Sequence, residues 1–232
     1  MRERTRHLVA AVSALAVVGA ALVIIVATST LSLPFFPQIT ERSGAGIDGT
    51  VAYLRFEQYD EACLYTVPAS GGTPRELRCD VGAWPGPTWT EDGNLVVAAS
   101  MAQWEDAEST LVIDPESGEI VDRRRITRSP EELDTERSER FGRTERADGS
   151  FVVTESSQDH AKLVLVPSDG ERRRLVNVAG PRDYGFTDVS WSPDGEWLLV
   201  TDTAQRLLIV NSRNGRTRLL ATDAEQAVWH QP

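Results

Sequence analysis

Short apolar runs alternate with polar turns along most of the chain from Gly49 onward. One kind of hairpin recurs there: an apolar strand, a turn closed by glycine, and a strand that mixes arginine with aliphatic residues. The copies occupy residues 63–79, 111–124, 163–176 and 207–220. Another apolar strand precedes each hairpin, at residues 51–56, 94–99, 150–153 and 197–201. Since no convincing amphipathic helix interrupts them, the pattern predicts an all-β domain.

A second recurring element separates these units, and its best copy is Trp191-Ser192-Pro193-Asp194-Gly195. Proline presets φ for the first central position of a turn and glycine accepts the positive φ that follows, so the chain must reverse here. Trp89 precedes a similar turn, and Val228-Trp229-His230-Gln231-Pro232 is a last copy. Before the third unit only Ala147-Asp148-Gly149 of the turn is present.

Four-stranded units that repeat about every 40 to 50 residues are typical of a β-propeller. The first unit lacks its innermost strand, whereas the chain ends on an extra one around Trp229. We therefore expect this last strand to pair with residues 51–56, because the pairing would close the ring and remove open sheet edges. The predicted fold is a small propeller of about four blades.

The chain resembles TolB-type propeller repeats, a WD-repeat-like group found in envelope proteins and before the catalytic domains of some peptidases. The turn at residues 191–195 and the hairpin Leu64-Tyr65-Thr66-Val67 with Gly71-Gly72 carry the resemblance, which covers about residues 49–232. Family propellers usually have six or more blades. The resemblance therefore leaves open a small ring, a partial ring completed by association, or an open stack.

The amino-terminal part predicts a membrane anchor. Residues 8–27 are apolar or small, with Ser13 as the sole polar side chain, and twenty helical residues span roughly 30 Å, the thickness of a bilayer's hydrocarbon core. The basic tail at residues 1–7 predicts a cytoplasmic amino terminus and an extracytoplasmic domain. The alternative is a cleaved signal peptide ending near Ala27-Thr28-Ser29. Residues 28–48 are expected to form a juxtamembrane linker and residues 49–232 the propeller-like domain.

The charge of the chain restricts its partners. The net charge is −11, and the first 47 residues hold four basic but only two acidic side chains, so the domain carries the whole acidic excess. An acidic surface is repelled by phosphate backbones and anionic headgroups, which argues against binding to nucleic acid or to a membrane surface.

The two cysteines, Cys63 and Cys79, lie eight residues on either side of Gly71. A hairpin centred on this glycine places them opposite each other, and a disulfide persists outside the cytoplasm. We therefore predict a disulfide, with two free buried thiols as the alternative.

Strand alternation places the longer connections together at one end of the propeller. Aromatic and basic side chains concentrate in these loops, and such residues are common binding anchors. The candidate binding residues are Tyr59, Trp84, Trp104, His160, Arg182 and Tyr184. The alternative is that Trp84 and Tyr184 pack inward beneath their loops.

Catalytic motifs are scarce in the sequence: it has no Gly-x-Ser-x-Gly elbow, no phosphate loop and no histidine pair at metal-binding spacing. Peptidases with such propellers carry their nucleophile in a separate domain, for which we expect no room here. We therefore expect no enzyme, no metal and no cofactor, and a membrane-anchored module that binds a protein or envelope partner. Two alternatives are a small-ligand sensor and a hydrolase that uses His160.

Overall fold

The structure is a computed structural model that describes residues 47–58, 61–82, 86–99, 109–125, 143–157, 160–179 and 184–230. Within these ranges every regular element is a β-strand. The strands are β1 (Thr50–Gln58), β2 (Glu61–Pro68), β3 (Arg75–Gly82), β4 (Thr88–Trp89), β5 (Leu95–Ala98), β6 (Ser109–Ile113), β7 (Ile120–Arg125), β8 (Arg143–Glu145), β9 (Phe151–Ser156), β10 (His160–Val166), β11 (Arg173–Ala179), β12 (Phe186–Trp191), β13 (Trp197–Asp202), β14 (Leu207–Asn211), β15 (Thr217–Ala221) and β16 (Glu225–His230).

These strands form four antiparallel sheets of four strands each. The first sheet has the order β16-β1-β2-β3, the second β4-β5-β6-β7, the third β8-β9-β10-β11 and the fourth β12-β13-β14-β15. The predicted all-β class and its four-stranded units are therefore confirmed, and the arrangement is propeller-like.

The carboxyl-terminal strand completes the first sheet, as the phase of the repeats predicts. Trp229 lies opposite Val51 and His230 opposite Thr50, so β16 is the inner neighbour of β1. The two ends of the described domain are thus held in one sheet. Pairing between distant strands removes an exposed sheet edge.

Three apolar clusters join the sheets through their faces. One lies between the first and fourth sheets around Val51 and Ile209, a second between the third and fourth around Leu163, and a third between the first and second around Leu64 and Leu95. All five of these side chains are fully buried. Removal of this apolar surface from water is the main stabilisation of the packed sheets. The clusters place the sheets in the order third, fourth, first and second.

The turn that precedes β13 has the conformation its sequence predicts. Gly195 has a φ of 69°, and its N–H donates to the Ser192 carbonyl at 2.8 Å. The Ser192 hydroxyl accepts the Trp197 N–H at 2.9 Å and donates to Asp194 at 2.6 Å. These bonds fix the chain reversal between β12 and β13.

Cys63 and Cys79 form a disulfide between β2 and β3, with their Cα atoms 3.9 Å apart. The predicted bridge is confirmed. It links an inner strand of the first sheet to the sheet's outermost strand.

Residues 1–46 lie outside the described residues, and with them the expected tail, anchor and nearly all of the expected linker. Among the residues that are described, no helix has the length and apolar character needed to cross a bilayer. The anchor and the domain boundaries therefore stay predictions.

Candidate functional site

A cavity lies between the first and second sheets, at the end where the glycine-closed turns are. Its volume is about 550 Å³. The first sheet contributes Thr50, Thr66, Val67, Pro68, Thr73, Arg75 and His230, and the second contributes Trp89, Gly93, Pro115 and Glu116. His230 reaches the cavity because β16 joins the first sheet and brings its last residue beside the second.

Two rings form the aromatic part of this cavity. The imidazole of His230 stacks on the indole of Trp89, with centroids 4.5 Å apart and ring planes 20° from parallel. The turn after Trp89 holds its ring in place: Gly93 has a φ of 80°, and the Thr90 hydroxyl accepts the Asn94 N–H at 3.0 Å. Flat aromatic surfaces of this kind bind rings and peptide planes by stacking.

The rim of the cavity is polar. The guanidinium of Arg75, on β3, donates to the Glu116 carbonyl in the turn between β6 and β7. The turn is further ordered by Asp114, whose carboxylate accepts the N–H groups of Ser117 and Glu116. These two bonds are the main reason that the pKa of Asp114 lies below its ordinary value, and the nearby Arg75 contributes to the same shift.

The indole N–H of Trp89 is buried, and it has no hydrogen-bond partner among the described residues. Trp191 holds the equivalent position in the fourth sheet, and its indole donates to the Thr144 carbonyl at 3.2 Å. A buried donor without an acceptor costs free energy. The indole of Trp89 thus lacks the acceptor that its counterpart has.

Four of the six predicted binding residues, Tyr59, Trp84, Trp104 and Arg182, lie outside the described residues. The other two, His160 and Tyr184, are placed differently from each other. His160 is exposed at the start of β10, at the end of its sheet that carries the longer connections. A binding role for the loop-rich end stays a prediction.

Tyr184 packs inward, which is the alternative that the sequence left open. Only 5% of the residue is exposed, and its hydroxyl donates to Asp202 at 3.0 Å. Asp202 is itself paired with Arg206 at 2.7 Å. Burial, together with the charge of Asp202, raises the pKa of Tyr184. Its ring therefore belongs to the core of the fourth sheet and not to an exposed contact surface.

Sequence reasoning placed the binding surface at the opposite end from this cavity. Neither His230 nor Trp89 is among the binding residues that the sequence predicts. The sequence signal that could have identified the Trp89–His230 site is the alignment of the aromatic-turn copies. This alignment places His230 directly after the tryptophan of an innermost strand.

The described residues contain one group of three potential metal ligands, Cys63, Glu76 and Cys79. Both sulfur atoms are joined in the disulfide, so they offer no thiolate. The described residues also lack a hydrogen-bonded Ser-His-carboxylate arrangement. The imidazole of His160 has no described partner, and that of His230 contacts Trp89. The geometry here therefore supports binding and assigns bond cleavage to no described side chain.

Comparison with known proteins finds similarity to a peptidase. No family model matches the chain. The uncharacterized peptidase YuxL of Bacillus subtilis is 29% identical over 152 residues, which make up 65% of this chain and 20% of the relative. The chain thus spans about a fifth of the length of that relative.

Several solved structures have weak similarity to this one. An acylaminoacyl peptidase from Pyrococcus horikoshii is 17% identical, with a TM-score of 0.28 over 80% of this chain and 31% of that one. An acylaminoacyl peptidase in complex with Z-Gly-Gly-Phe-chloromethyl ketone is 14% identical, with a TM-score of 0.28 over 80% and 38%. A protein from Lactobacillus plantarum is also 14% identical, with a TM-score of 0.24 over 83% and 63%.

The similarity to a peptidase corrects the expectation of a non-enzymatic binding module. It also contradicts the expectation that the chain is no enzyme, because the similar protein is named as a peptidase.

Proposed function

We propose that this chain takes part in peptide hydrolysis and that its propeller-like domain binds the peptide substrate in the cavity between the first and second sheets. The similarity to a peptidase supports the reaction class. The observation that carries the assignment of the site is the stacked pair of Trp89 and His230 inside a cavity with a polar rim. Substrate capture is assigned to the described residues, and cleavage is not.

The chemistry of the lining fits a peptide segment. The Trp89–His230 stack offers a surface for a ring side chain or a peptide plane. Three threonine hydroxyls, from Thr50, Thr66 and Thr73, can donate to and accept from a peptide backbone. The one cation and one carboxylate at the rim leave the lining without a strong net charge, which suits a peptide better than a phosphate ester.

We also propose that the domain belongs to the TolB type and works outside the cytoplasm, held to the membrane by residues 8–27. The support is the apolar length of that segment, the basic tail before it and the disulfide. Protease added to intact, wall-free cells should digest the domain but not the tail. Protection of the domain in intact cells would contradict this topology.

Peptide hydrolysis is tested with the full-length chain in membranes of its host cells. Short peptides with free and acylated amino termini are incubated with these membranes and with membranes from cells that lack the chain. Cleavage is followed by mass spectrometry. New fragments that appear only with the chain support the proposal, and identical fragment patterns in both preparations overturn it.

The site within the chain is tested by two matched substitutions. We expect His230→Ala to raise the KM for a cleaved peptide about tenfold, equivalent to about 1.4 kcal/mol, because it removes half of the aromatic stack. The control is His160→Ala, which removes an exposed imidazole at the opposite end and should leave the KM unchanged. Loss of cleavage in His160→Ala, with His230→Ala normal, would move the site to the loop-rich end.

A further inference from the structure

Two innermost strands carry a basic side chain at the same position of the repeat. The first sheet's innermost strand, β16, ends with Trp229 and then His230. Glu145 ends β8, the innermost strand of the third sheet, and Arg146 follows it directly. Trp229 and Glu145 each lie opposite the beginning of the next strand of their sheet. His230 and Arg146 are therefore equivalent, and each faces a tryptophan of a neighbouring sheet.

Between the third and fourth sheets, a guanidinium fills the space beside this tryptophan. The Cζ atom of Arg146 lies 5.7 Å from the ring centroid of Trp191. A Cβ added to Gly195, in the turn after Trp191, would lie 2.7 Å from the same Cζ, so the guanidinium packs on the turn as well. Asp148 pairs with the guanidinium at 3.6 Å. The domain thus already binds one of its own arginine side chains, through a cation–π contact and an ion pair.

Between the first and second sheets, the equivalent position holds a shorter side chain. The imidazole of His230 stacks on Trp89, with ring centroids 4.5 Å apart. Gly93 is the counterpart of Gly195, yet a Cβ added there would meet within 4 Å only the Nε2 atom of His230, at 3.6 Å. His230 and Gly93 both line the cavity of about 550 Å³. The imidazole thus covers the indole but leaves open the space over the turn that a guanidinium fills in the other pair of sheets.

The charges around the cavity suit a cation. Of the two charged lining residues, Arg75 donates to the Glu116 carbonyl and lies near the carboxylate of Asp114. Asp114 therefore offsets the charge of Arg75, and the carboxylate of Glu116 adds a negative charge to the site. The acidic excess of the whole domain attracts cations over a longer distance.

We propose that the cavity between the first and second sheets is a specificity pocket for an arginine side chain of the peptide substrate. The proposal rests on the peptide binding proposed above and adds which peptides are preferred. The incoming guanidinium lies beside the Trp89–His230 stack, and Glu116 supplies the carboxylate that Asp148 supplies to Arg146. A planar guanidinium can stack on rings and donate to a carboxylate at the same time, which favours arginine over lysine.

The pocket is tested by the binding of two peptides to the full-length chain in detergent micelles, measured by titration calorimetry. One peptide is Ala-Ala-Arg-Ala-Ala with both ends blocked. The other has citrulline in place of arginine, which keeps the length and the planar end group but removes the charge. We expect the arginine peptide to bind about tenfold more tightly, because only it makes the cation–π contact and the ion pair. The difference should shrink at high salt, because salt screens the charges.

The outcomes separate this proposal from the one on which it rests. Equal binding of the two peptides would overturn the arginine pocket and leave peptide binding by the domain standing. Binding of neither peptide would overturn both. Tighter binding of the citrulline peptide would also contradict a pocket for a cation.

A substitution at His230 shows whether the preference arises in this cavity. His230→Arg gives the first sheet the side chain that the third sheet has, so its own guanidinium should fill the space and reduce the ratio of the two affinities to about one. His230→Met is the matched control, because it has an unbranched side chain without charge and should retain the preference even if both peptides bind more weakly. A folded His230→Arg chain that keeps the full tenfold ratio would overturn the proposal, and the comparison of peptides on the native chain does not depend on either variant.

Discussion

Three tryptophans at equivalent positions on innermost strands have different contacts. Trp191 donates its indole N–H to the Thr144 carbonyl of the third sheet, and Trp89 stacks on His230. Trp229 lies beside Gly49, where a Cβ would come within 2.7 Å of its indole nitrogen. The sequence predicts where all three lie, because each stands in a copy of the same aromatic-turn pattern. It does not predict their partners, because these lie far away along the chain.

Two turn glycines allow a matched test at the residue scale. Gly71 and Gly215 have φ values of 91° and 71°. A Cβ at Gly71 would meet nothing within 4 Å, whereas one at Gly215 would overlap the Leu175 carbonyl oxygen. We expect Gly71→Ala to cost about 1–2 kcal/mol from the backbone conformation alone. Gly215→Ala should cost clearly more, since it also pushes two sheets apart. Equal losses in urea unfolding would contradict this packing.

Tyr53 provides a test by pH. Its ring is buried and stacks on Tyr65 with centroids 5.5 Å apart. Burial, assisted by the charge of Tyr65, raises the pKa of Tyr53 from 10.0 to about 12. The folded state thus holds this proton more tightly than the unfolded state does. Its contribution to stability is complete below pH 10 and is lost as the pH rises through about 12.

The measurement for Tyr53 is urea unfolding of the native chain and of Tyr53→Phe between pH 9 and pH 12. The phenylalanine variant should lose less stability over this interval, because it has no buried phenol to ionise. Parallel losses in the two chains would show that Tyr53 does not titrate as proposed.

At the element scale, strands and turns follow from local pattern. The apolar runs 197–201 and 207–210 predict β13 and β14 to within one residue at each end. The third sheet was harder to predict, because its innermost strand, β8, has three residues and no tryptophan. Glu145 occupies the position that Trp191 holds in the fourth sheet. Pairing with β9 sets the place of β8 in the third sheet. No local sequence signal predicts this pairing.

The disulfide between β2 and β3 provides a test at the element scale. It closes a loop with a sequence separation of 16 residues. Restricting the unfolded chain in this way contributes about 3 kcal/mol on the chain-entropy model. Replacing both Cys63 and Cys79 by serine should lower the free energy of unfolding by about this amount, measured in urea. An unchanged midpoint would indicate that the hairpin is already restricted in the unfolded state.

At the scale of the whole molecule, the repeats predict four sheets and the return of the last strand to the first. They do not predict the cavity, because its lining comes from residues far apart in sequence, such as Thr50, Glu116 and His230. Nor does the sequence predict that Arg75, Arg173 and Arg218 reach a neighbouring sheet, because the carbonyls that accept their hydrogen bonds lie in distant turns.

The return of the last strand is the central claim, because it completes the first sheet and places His230 against Trp89. Thermal unfolding of a chain that lacks residues 227–232 tests it most directly. The deletion removes Trp229 and its pairing with Val51, and we expect a loss of several kcal/mol, comparable with the whole stability of a domain. Deletion of residues 231–232 alone leaves β16 intact and is the control. The account predicts that the longer deletion abolishes the cooperative transition, and a truncated chain that melts like the intact one would contradict it.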